Sequence, residues 1–276
     1  MTTVQEDFLR AFHAAHPAVT VRAMAHGRAG DGRSSYEILR DRVPQCRRLL
    51  DLGCGDGLLL ELLAAGEAGA GRALAGIDLS AEELRLARTR PGVEGADLRV
   101  CRAQRLPFQD GWFDGCVSHM ALMLMSEAEQ VAAELARVLE PGGTLAVVLG
   151  GGPAGGEAYE SFVRLLKPLF RAAPAEQQMP SFGDERLRTR EGFDEVFRPA
   201  GFGAAEWETV RIDLSGPPER IWRTVGGFYD LAPLDAAVVA DLRARFETEA
   251  AAMALPDGRI PCAMNVRVAT AVREGS

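Results

Sequence analysis

The residues with the clearest chemical meaning are three alternating glycines that follow an apolar run. Leu49–Gly57 reads Leu-Leu-Asp-Leu-Gly-Cys-Gly-Asp-Gly, and Leu58–Leu63 then resumes an apolar run of helical length. The pattern predicts a buried strand, a tight turn and a helix. Because glycine has no Cβ, such a turn can bring bare backbone close to a ligand.

Spacing narrows the class of ligand. The dinucleotide fingerprint G-x-G-x-x-G would need a third glycine at position 58, which is Leu58. An acidic residue further along the chain indicates an adenosine instead. Asp78 ends a predicted second strand, Arg72–Ile77, and lies 21 residues after Gly57. A carboxylate at about that distance can accept both ribose hydroxyls of an adenosine.

Several spaced motifs, in the order expected for the family, together resemble the class I S-adenosylmethionine (SAM) methyltransferases. Asp51–Gly57 resembles their first motif, D-x-G-x-G-x-G, and Asp78 matches the acid of the second strand. Leu106–Asp114 resembles the loop LPF-x-D-x-x-FD, and Arg137–Gly143 resembles RVLKPGG. The resemblance covers Leu49–Leu149. It implies an α/β fold with a doubly wound, mostly parallel seven-stranded sheet, a helical N-terminal cap and lid insertions.

The order of predicted elements divides the chain into three segments. Residues 1–45 form a helical N-terminal cap, residues 46–150 the SAM-binding core, and residues 151–276 lid and substrate-binding segments that complete the sheet. Strands alternating with helices favour a parallel sheet with right-handed crossovers. The resemblance implies that a seventh strand, near Ile260–Val272, runs antiparallel at the sheet edge. Gly150–Gly156 is expected to be the joint of a mobile lid.

Two helix starts carry the spacing of a capping box. Ser80 with Glu83, and Ser126 with Glu129, are three residues apart. In this motif the hydroxyl accepts from the first turn and the glutamate reaches back to the backbone of the capping residue. Both glutamates are therefore expected to serve their own helix.

The resemblance also implies a set of cofactor-binding residues. The glycine-rich turn would approach SAM through backbone, Asp51 would face the methionine ammonium, and Asp78 would take the ribose diol. Leu79 would stack on adenine, and Tyr36 could reach the methionine end. The implied cofactor-binding residues are Tyr36, Asp51, Gly53, Cys54, Gly55, Gly57, Asp78, Leu79, Ala103, Gln104, Ser118 and His119.

One position departs from the family pattern. Relatives have an acid after the third strand, in GDAE, that accepts the adenine amino group, whereas this chain reads Cys101-Arg102-Ala103-Gln104. Arg102 cannot accept a hydrogen bond. Backbone or Gln104 then takes that role, or the strand register is shifted by one. We expect Arg102 to point along the surface or to pair with a nearby acid.

Methyl transfer from a sulfonium is a direct displacement, so a general base is needed only when the acceptor atom carries a proton. His119, after the fourth strand, is the first candidate because imidazole can accept a proton near neutral pH. The alternative is a histidine that only hydrogen-bonds backbone beneath the cofactor. His13 and Tyr36 are the substitutes if the N-terminal segment folds over the pocket.

A methionine-rich stretch, Ala121–Met125, lies where relatives often have histidines. Such a stretch either packs in the core or, if it faces the pocket, favours an aromatic or otherwise apolar acceptor. Phe182, Asp184 and Arg186 could form part of a substrate wall. The candidate substrate-binding residues are Met123, Phe182, Trp222, Phe228 and Tyr229.

These features predict methylation of nitrogen, carbon or oxygen in a small natural product, such as an indole- or amine-containing metabolite of bacterial secondary metabolism. The motif N/D-P-P-Y/F/W of DNA amino-methyltransferases is absent, and no convincing carboxylate cluster for a metal-dependent enzyme is found. Two alternatives stay open. One is a methyltransferase-fold protein that binds SAM without transfer, such as a cyclase or regulatory subunit. The other is an RNA or protein methyltransferase.

Composition predicts the setting of the protein. The net charge of -8 disfavours a nucleic-acid partner, because phosphate binding relies on clustered Lys and Arg. The five cysteines contain no C-x-x-C, which disfavours zinc and a disulfide framework. No signal-peptide pattern and no long apolar run is recognised. A cytoplasmic monomer or homodimer, without metal or membrane partner, is expected.

Overall fold

A computed structural model describes residues 3–172, 182–227 and 229–275. In this part of the chain, seven strands form one sheet with the order β3-β2-β1-β4-β5-β7-β6. The strands are β1 Arg48–Leu52, β2 Ala73–Asp78, β3 Asp97–Val100, β4 Phe113–His119, β5 Leu139–Pro153, β6 Glu206–Asp213 and β7 Ala263–Val272. The doubly wound α/β fold predicted from the sequence is confirmed.

Helices cover the sheet and the cleft at its edge. They are α1 Val4–Ala15, α2 Val19–Met24, α3 Ser35–Arg40, α4 Leu58–Ala64, α5 Gly66–Gly69, α6 Ala81–Ala87, α7 Ala128–Val138, α8 Ala158–Ala172, α9 Arg190–Phe197, α10 Pro218–Val225 and α11 Ala236–Ala252. None of the helices in the described ranges is long and apolar enough to cross a membrane.

The core forms two apolar clusters, one on each face of the sheet. The consecutive residues Leu49 and Leu50 of β1 belong to different clusters, as do Val147 and Val148 of β5. Successive strand side chains point to opposite faces, so both faces of these strands are buried beneath helices. This explains why β1 and β5 read as continuous apolar runs.

The position of the seventh strand corrects one expectation. β7 is antiparallel to both β5 and β6, as predicted, but it lies between them, and β6 forms the sheet edge. Most β7 side chains are buried, whereas most of those of β6 are exposed or half-buried. The apolar strand takes the internal place, and the strand with charged residues such as Glu206 and Glu208 takes the edge, which charge protects from further pairing.

The two predicted capping boxes differ from the structure: the one at Ser80 forms only in part, and the one at Ser126 does not form. Ser80 accepts from the backbone N–H of Glu83 at 3.2 Å, but the Glu83 carboxylate turns away from its own helix. At α7 the N-cap is Glu127, with φ of 55° and no side-chain cap. The Gly150 region also differs from a free joint, because residues from Gly150 to Pro153 continue β5 beside β7.

Candidate active site

The glycine-rich turn between β1 and α4 has backbone angles that favour glycine. Gly53, Gly55 and Gly57 have φ values of 74°, 50° and 82°. A Cβ at Gly53 would lie 2.5 Å from the Cβ of Ala121, and one at Gly57 would lie 2.8 Å from the Cβ of Ala87. The turn therefore requires glycine and lines the cleft with main-chain atoms.

Asp78, at the carboxyl end of β2, connects this turn to the sheet. Its Oδ2 accepts from the backbone N–H of Gly55, and its Oδ1 accepts from that of Ser80, both at 2.9 Å. Burial raises the pKa of this carboxyl, and nearby His13 opposes the rise. A carboxylate has about four lone-pair sites, so two protein donors leave capacity for a ligand's hydroxyls.

Two polar atoms in the cleft are buried and have no hydrogen-bond partner among the described residues, namely Oδ2 of Asp51 and Nδ1 of His119. Burial, with repulsion from Asp78 and Asp56, raises the pKa of Asp51 well above its usual range. Buried polar atoms without a partner cost free energy, so each atom would gain from a donor or acceptor on a ligand.

His119 is held by contacts on two sides. Its ring stacks on Tyr36 with 3.7 Å between ring centroids, and Nε2 lies 2.8 Å from the Ser35 hydroxyl oxygen. Burial lowers the pKa of His119 to about 3 and raises that of Tyr36 well above 10. Near neutral pH both side chains are therefore neutral, and burial opposes a positive charge on His119 and a negative charge on Tyr36.

Helix α1 forms a second wall of the cleft. Its residues face the segment that follows β2 and β3 across one cavity, and Arg10 Nε donates to the backbone oxygen of Leu79 at 3.4 Å. The residues that line this part from both sides include Glu6, Leu9, His13, Leu79, Ala103 and Gln104. The N-terminal segment thus folds over the pocket.

A chain of three hydrogen-bonding side chains crosses the cleft. His13 Nδ1 lies 2.8 Å from the Glu83 carboxylate, and His13 Nε2 lies 3.0 Å from the Tyr229 hydroxyl. Glu83 is 1% exposed and also accepts from the backbone N–H of Ala18 at 3.0 Å. A carboxylate only accepts hydrogen bonds, so in a neutral His13 imidazole Glu83 places the proton on Nδ1. Nε2 can then accept the Tyr229 proton.

A further cavity of about 260 Å³ adjoins the cleft. The cleft and this cavity share Thr20, Met120, Leu124 and Tyr229 as lining residues. Met120 has φ of 57°, an angle that non-glycine residues rarely adopt and that often occurs at functional sites. The side chains that line the cavity are mostly apolar and include Met24, Met120, Met123, Tyr159, Phe182 and Met264.

Comparisons with known proteins agree with this geometry. A family model described as a methyltransferase domain matches residues 50–147. The methyltransferase GfsG of Streptomyces halstedii is 36% identical over 123 residues, which is 43% of each chain. The ubiquinone/menaquinone biosynthesis C-methyltransferase UbiE of Desulfotalea psychrophila is 30% identical over 189 residues, 66% of this chain and 76% of that protein. The chain belongs to the class I SAM-dependent methyltransferases.

The family model covers the part of the chain that contains the glycine-rich turn and Asp78. The chain spans about half the length of the first curated relatives, between 43% and 57% of each. The fold extends further. Phosphoethanolamine N-methyltransferase 2 of Haemonchus contortus, in complex with SAM, is similar with a TM-score of 0.60 and 18% identity over 99% of this chain and 61% of that chain. At that identity the likeness concerns the fold alone.

The donor and acceptor groups of the cleft are compatible with SAM. The unpartnered Oδ2 of Asp51 suits a cationic ammonium, and the Asp78 carboxylate suits a diol. The glycine-rich turn between them, at Gly53 and Gly55, admits a ligand close to the backbone. No group of three or more potential metal ligands occurs within residues 3–172, 182–227 and 229–275.

Several predicted residues lie elsewhere in this methyltransferase. Ser118 is buried away from the cleft, where its hydroxyl donates to the backbone oxygen of Leu52 at 2.8 Å. Trp222 packs between helices against Phe246, with ring centroids 6.0 Å apart, and does not line the described cavities. Phe228 lies outside the described residues.

The polar residues proposed for the substrate wall, Asp184 and Arg186, do not line the 260 Å³ cavity. Asp184 and Arg186 form an ion pair with each other at 2.5 Å, and Arg186 pairs with Glu129 at 2.5 Å. Phe182 does line the cavity, and its ring centroid lies 5.8 Å from that of Tyr229. Arg102 pairs with Glu6 and Glu127, both at 2.8 Å, in agreement with the prediction that it meets a nearby acid.

Other lining residues had no signal in the sequence. Met24 and Met264 are 240 residues apart and reach the cavity only through packing. The spacing of Glu83 from Ser80 predicts a helix cap, whereas in the structure the Glu83 carboxylate binds His13 and the backbone N–H of Ala18. A glutamate three residues after a cap residue can therefore bind a neighbouring helix instead of its own.

Proposed function

We propose that this methyltransferase transfers the methyl group of SAM to a nitrogen, carbon or oxygen atom of a small, largely apolar or aromatic acceptor. The observation that carries the proposal is the junction between the cleft and the 260 Å³ cavity at Met120, Leu124 and Tyr229. A cofactor in the cleft and an acceptor in the cavity would meet there. This volume is slightly below the about 300–1,000 Å³ typical of small-molecule sites.

The cleft would hold SAM through charge and backbone. Asp51 would pair with the ammonium of the methionyl part, and Asp78 would accept the two ribose hydroxyls. Leu79 would cover the adenine, since it lines the cavity beyond Asp78 together with Ala103. His119 would serve this end as a neutral, stacked side chain rather than as a base, because burial holds its pKa at about 3.

The lining of the cavity favours an acceptor with an apolar or aromatic body, as in an indole-containing metabolite. Methionine side chains are flexible and polarizable, so they adapt to a ring of irregular outline. Among the described residues that line the cavity, Arg188 is the only charged one. It would meet a polar or anionic substituent at one end of the acceptor.

Transfer depends mainly on orientation. SAM supplies a methyl group that is already activated by the positive sulfur. The chain must hold the acceptor atom in line with that group and keep water away, and orientation can supply about 7–11 kcal/mol of the barrier. The junction at Met120 and Leu124, flanked by apolar side chains, suits both tasks.

For acceptors that lose a proton, we propose Tyr229 as the group that receives it. As the acceptor's proton moves to the Tyr229 oxygen, the hydroxyl proton of Tyr229 moves to Nε2 of His13, and Glu83 stabilises the resulting imidazolium. Burial raises the pKa of the Tyr229 phenol, which disfavours a free phenolate and favours transfer of the two protons together. Of the earlier candidates, this keeps His13 and replaces His119 and Tyr36.

One experiment tests the activity. The protein is incubated with SAM and a library of indoles, amines and phenols, and mass spectrometry detects products heavier by one methyl group together with S-adenosylhomocysteine. Methylated product is expected with wild-type protein and little with Asp78→Ala. Binding of SAM without any methylated product would favour a non-transferring protein, and salt-sensitive RNA binding would favour an RNA methyltransferase.

A second experiment tests the proton path with matched variants. His13→Asn keeps a donor near Nδ1 for Glu83 but removes the link to Tyr229, whereas His16→Asn changes an exposed histidine just after the same helix. We expect His13→Asn to lower kcat about 10²-fold or more for acceptors with a proton to lose. Tertiary amines, which lose none, should be spared. An equal loss for both acceptor types would contradict the path.

A further inference from the structure

The adenine end of the cleft lacks the acid that family members carry after β3. Arg102 stands there instead, and its guanidinium is committed to two carboxylates. Its Nε donates to Oε1 of Glu6 at 2.9 Å, and its Nη2 donates to Glu127 at 2.8 Å. Arg102 thereby holds the carboxylate of Glu6, from α1, next to the segment after β3, where family members have their own acid.

Glu6 has the properties of a binding carboxylate. It is 5% exposed and lines the same cavity as Leu79 and Ala103. Gln104 Nε2 lies 3.4 Å from its Oε1, and the backbone N–H of Thr3 donates to its Oε2 at 3.1 Å. A buried carboxylate needs compensating charge, and Arg102 supplies it.

The remaining hydrogen-bonding capacity of Glu6 is on Oε2. Oε1 accepts from Arg102 and Gln104, whereas among the described residues Oε2 accepts only from the backbone N–H of Thr3. Each carboxylate oxygen can accept about two hydrogen bonds, so Oε2 can take one more donor. Gln104 is a weaker candidate, because its neutral amide oxygen is a poorer acceptor than a carboxylate oxygen.

We propose that Glu6 accepts a hydrogen bond from the exocyclic amino group of the SAM adenine. The inference rests on the proposed use of SAM. It makes α1 part of the cofactor site, so that the N-terminal helix, and not the segment after β3, discriminates a 6-amino purine from a 6-oxo purine. Arg102 then acts as a positioning residue that orients the carboxylate.

Calorimetry with two nucleosides tests the proposal without turnover. S-adenosylhomocysteine carries the 6-amino group, and S-inosylhomocysteine carries an oxygen in its place. We expect wild-type protein to prefer the adenosine compound at least tenfold. In Glu6→Gln, the amide can donate to the 6-oxo group, so the preference should fall to about threefold or less.

The variant is chosen to keep the fold. Gln at the third position of a helix can still complete a capping box with Thr3, so α1 should form normally. Asp7→Asn is the matched control, since it removes the same charge from the next residue, whose side chain is 59% exposed and pairs only with Arg10 in the described structure. The control should keep the wild-type preference, and thermal unfolding of the free proteins should be similar.

The outcomes separate the two proposals. If wild-type protein binds S-adenosylhomocysteine and Glu6→Gln weakens both nucleosides equally, or changes neither, Glu6 has only a structural role and the inference is overturned. If wild-type protein binds neither nucleoside, the use of SAM itself is overturned. A selective fall in preference in Glu6→Gln, absent in Asp7→Asn, supports the inference.

Discussion

The cofactor cleft and the acceptor cavity are built in different ways. The base of the cleft comes from consecutive strand ends of one α/β unit, and its key features are backbone angles at Gly53 and Gly57 and the carboxylate of Asp78. The cavity takes side chains from segments as distant as Met24, Phe182 and Met264. Backbone geometry tolerates few substitutions, whereas a cavity of flexible side chains can be altered with small cost.

The largest effect is expected for Gly53→Ala, which attacks the backbone side of the comparison. The alanine would have to adopt the φ of 74° that Gly53 has, and its Cβ would lie 2.5 Å from the Cβ of Ala121. We expect affinity for S-adenosylhomocysteine, measured by calorimetry, to fall roughly 100-fold or more. Gly142→Ala is the control, because its φ is 83° but no atom lies within 4 Å of the added Cβ. Equal affinities in the two variants would refute a close approach at Gly53.

Asp78→Ala should have the next largest effect. The carboxylate holds the turn through Gly55 and would also bind the ribose, so its loss should cost about 1–3 kcal/mol, or roughly 5- to 150-fold in SAM affinity. Asp97→Ala serves as the control, since Asp97 is half-exposed at the start of β3 and pairs with Arg99. Unchanged affinity in Asp78→Ala would remove Asp78 from the site.

His119→Gln tests whether the cleft contains a buried neutral histidine. The folded pKa of about 3 lies below the ordinary 6.5, so below pH 6.5 the unfolded chain binds a proton that the native protein does not. Stability is therefore unaffected above pH 6.5 and falls by about 1.4 kcal/mol per unit toward pH 3. Glutamine can keep the Ser35 bond without titrating.

The measurement is urea unfolding at pH 7.5 and 5.5. The loss of stability between these values should be about 1.4 kcal/mol smaller in His119→Gln than in wild type. His16→Gln, an exposed site, should behave like wild type. A pH dependence unchanged by His119→Gln would show that the native histidine takes up the proton.

Met123→Leu should have the smallest effect and tests the cavity side. Met123 lines the cavity, and the swap nearly conserves volume, which usually costs less than about 1.5 kcal/mol. The acceptor KM should change less than about tenfold, and SAM affinity should not change. A large loss of SAM affinity would mean that the two sites are not separable as described.

Much of the cofactor half could be predicted from the sequence. The glycine spacing at Gly53–Gly57, the acid at Asp78 and the helix breaks set β1, β2 and their crossovers, because these signals act within a few residues. The predicted position of β7 at the sheet edge was wrong. Pairing of β7 with β6 does not say which of the two strands lies next to β5. The prediction that Ser118 binds the cofactor was wrong for another reason. Side chains alternate along β4, the Ser118 side chain points into the core, and no local signal marks which residues face the cleft.

The sequence by itself determined the class I methyltransferase fold and the glycine-rich turn that we propose receives SAM, because glycine angles and strand–helix periodicity are local properties. Only the tertiary structure decided which carboxylates serve the site. Glu6 completes the capping box of its own helix with Thr3, and packing of α1 across the strand ends also brings it to Arg102. Glu83 has the same position in its helix, yet its carboxylate binds His13 instead of the backbone of Ser80. A carboxylate takes whichever donors folding brings within hydrogen-bond distance, and 96 residues separate Glu6 from Arg102.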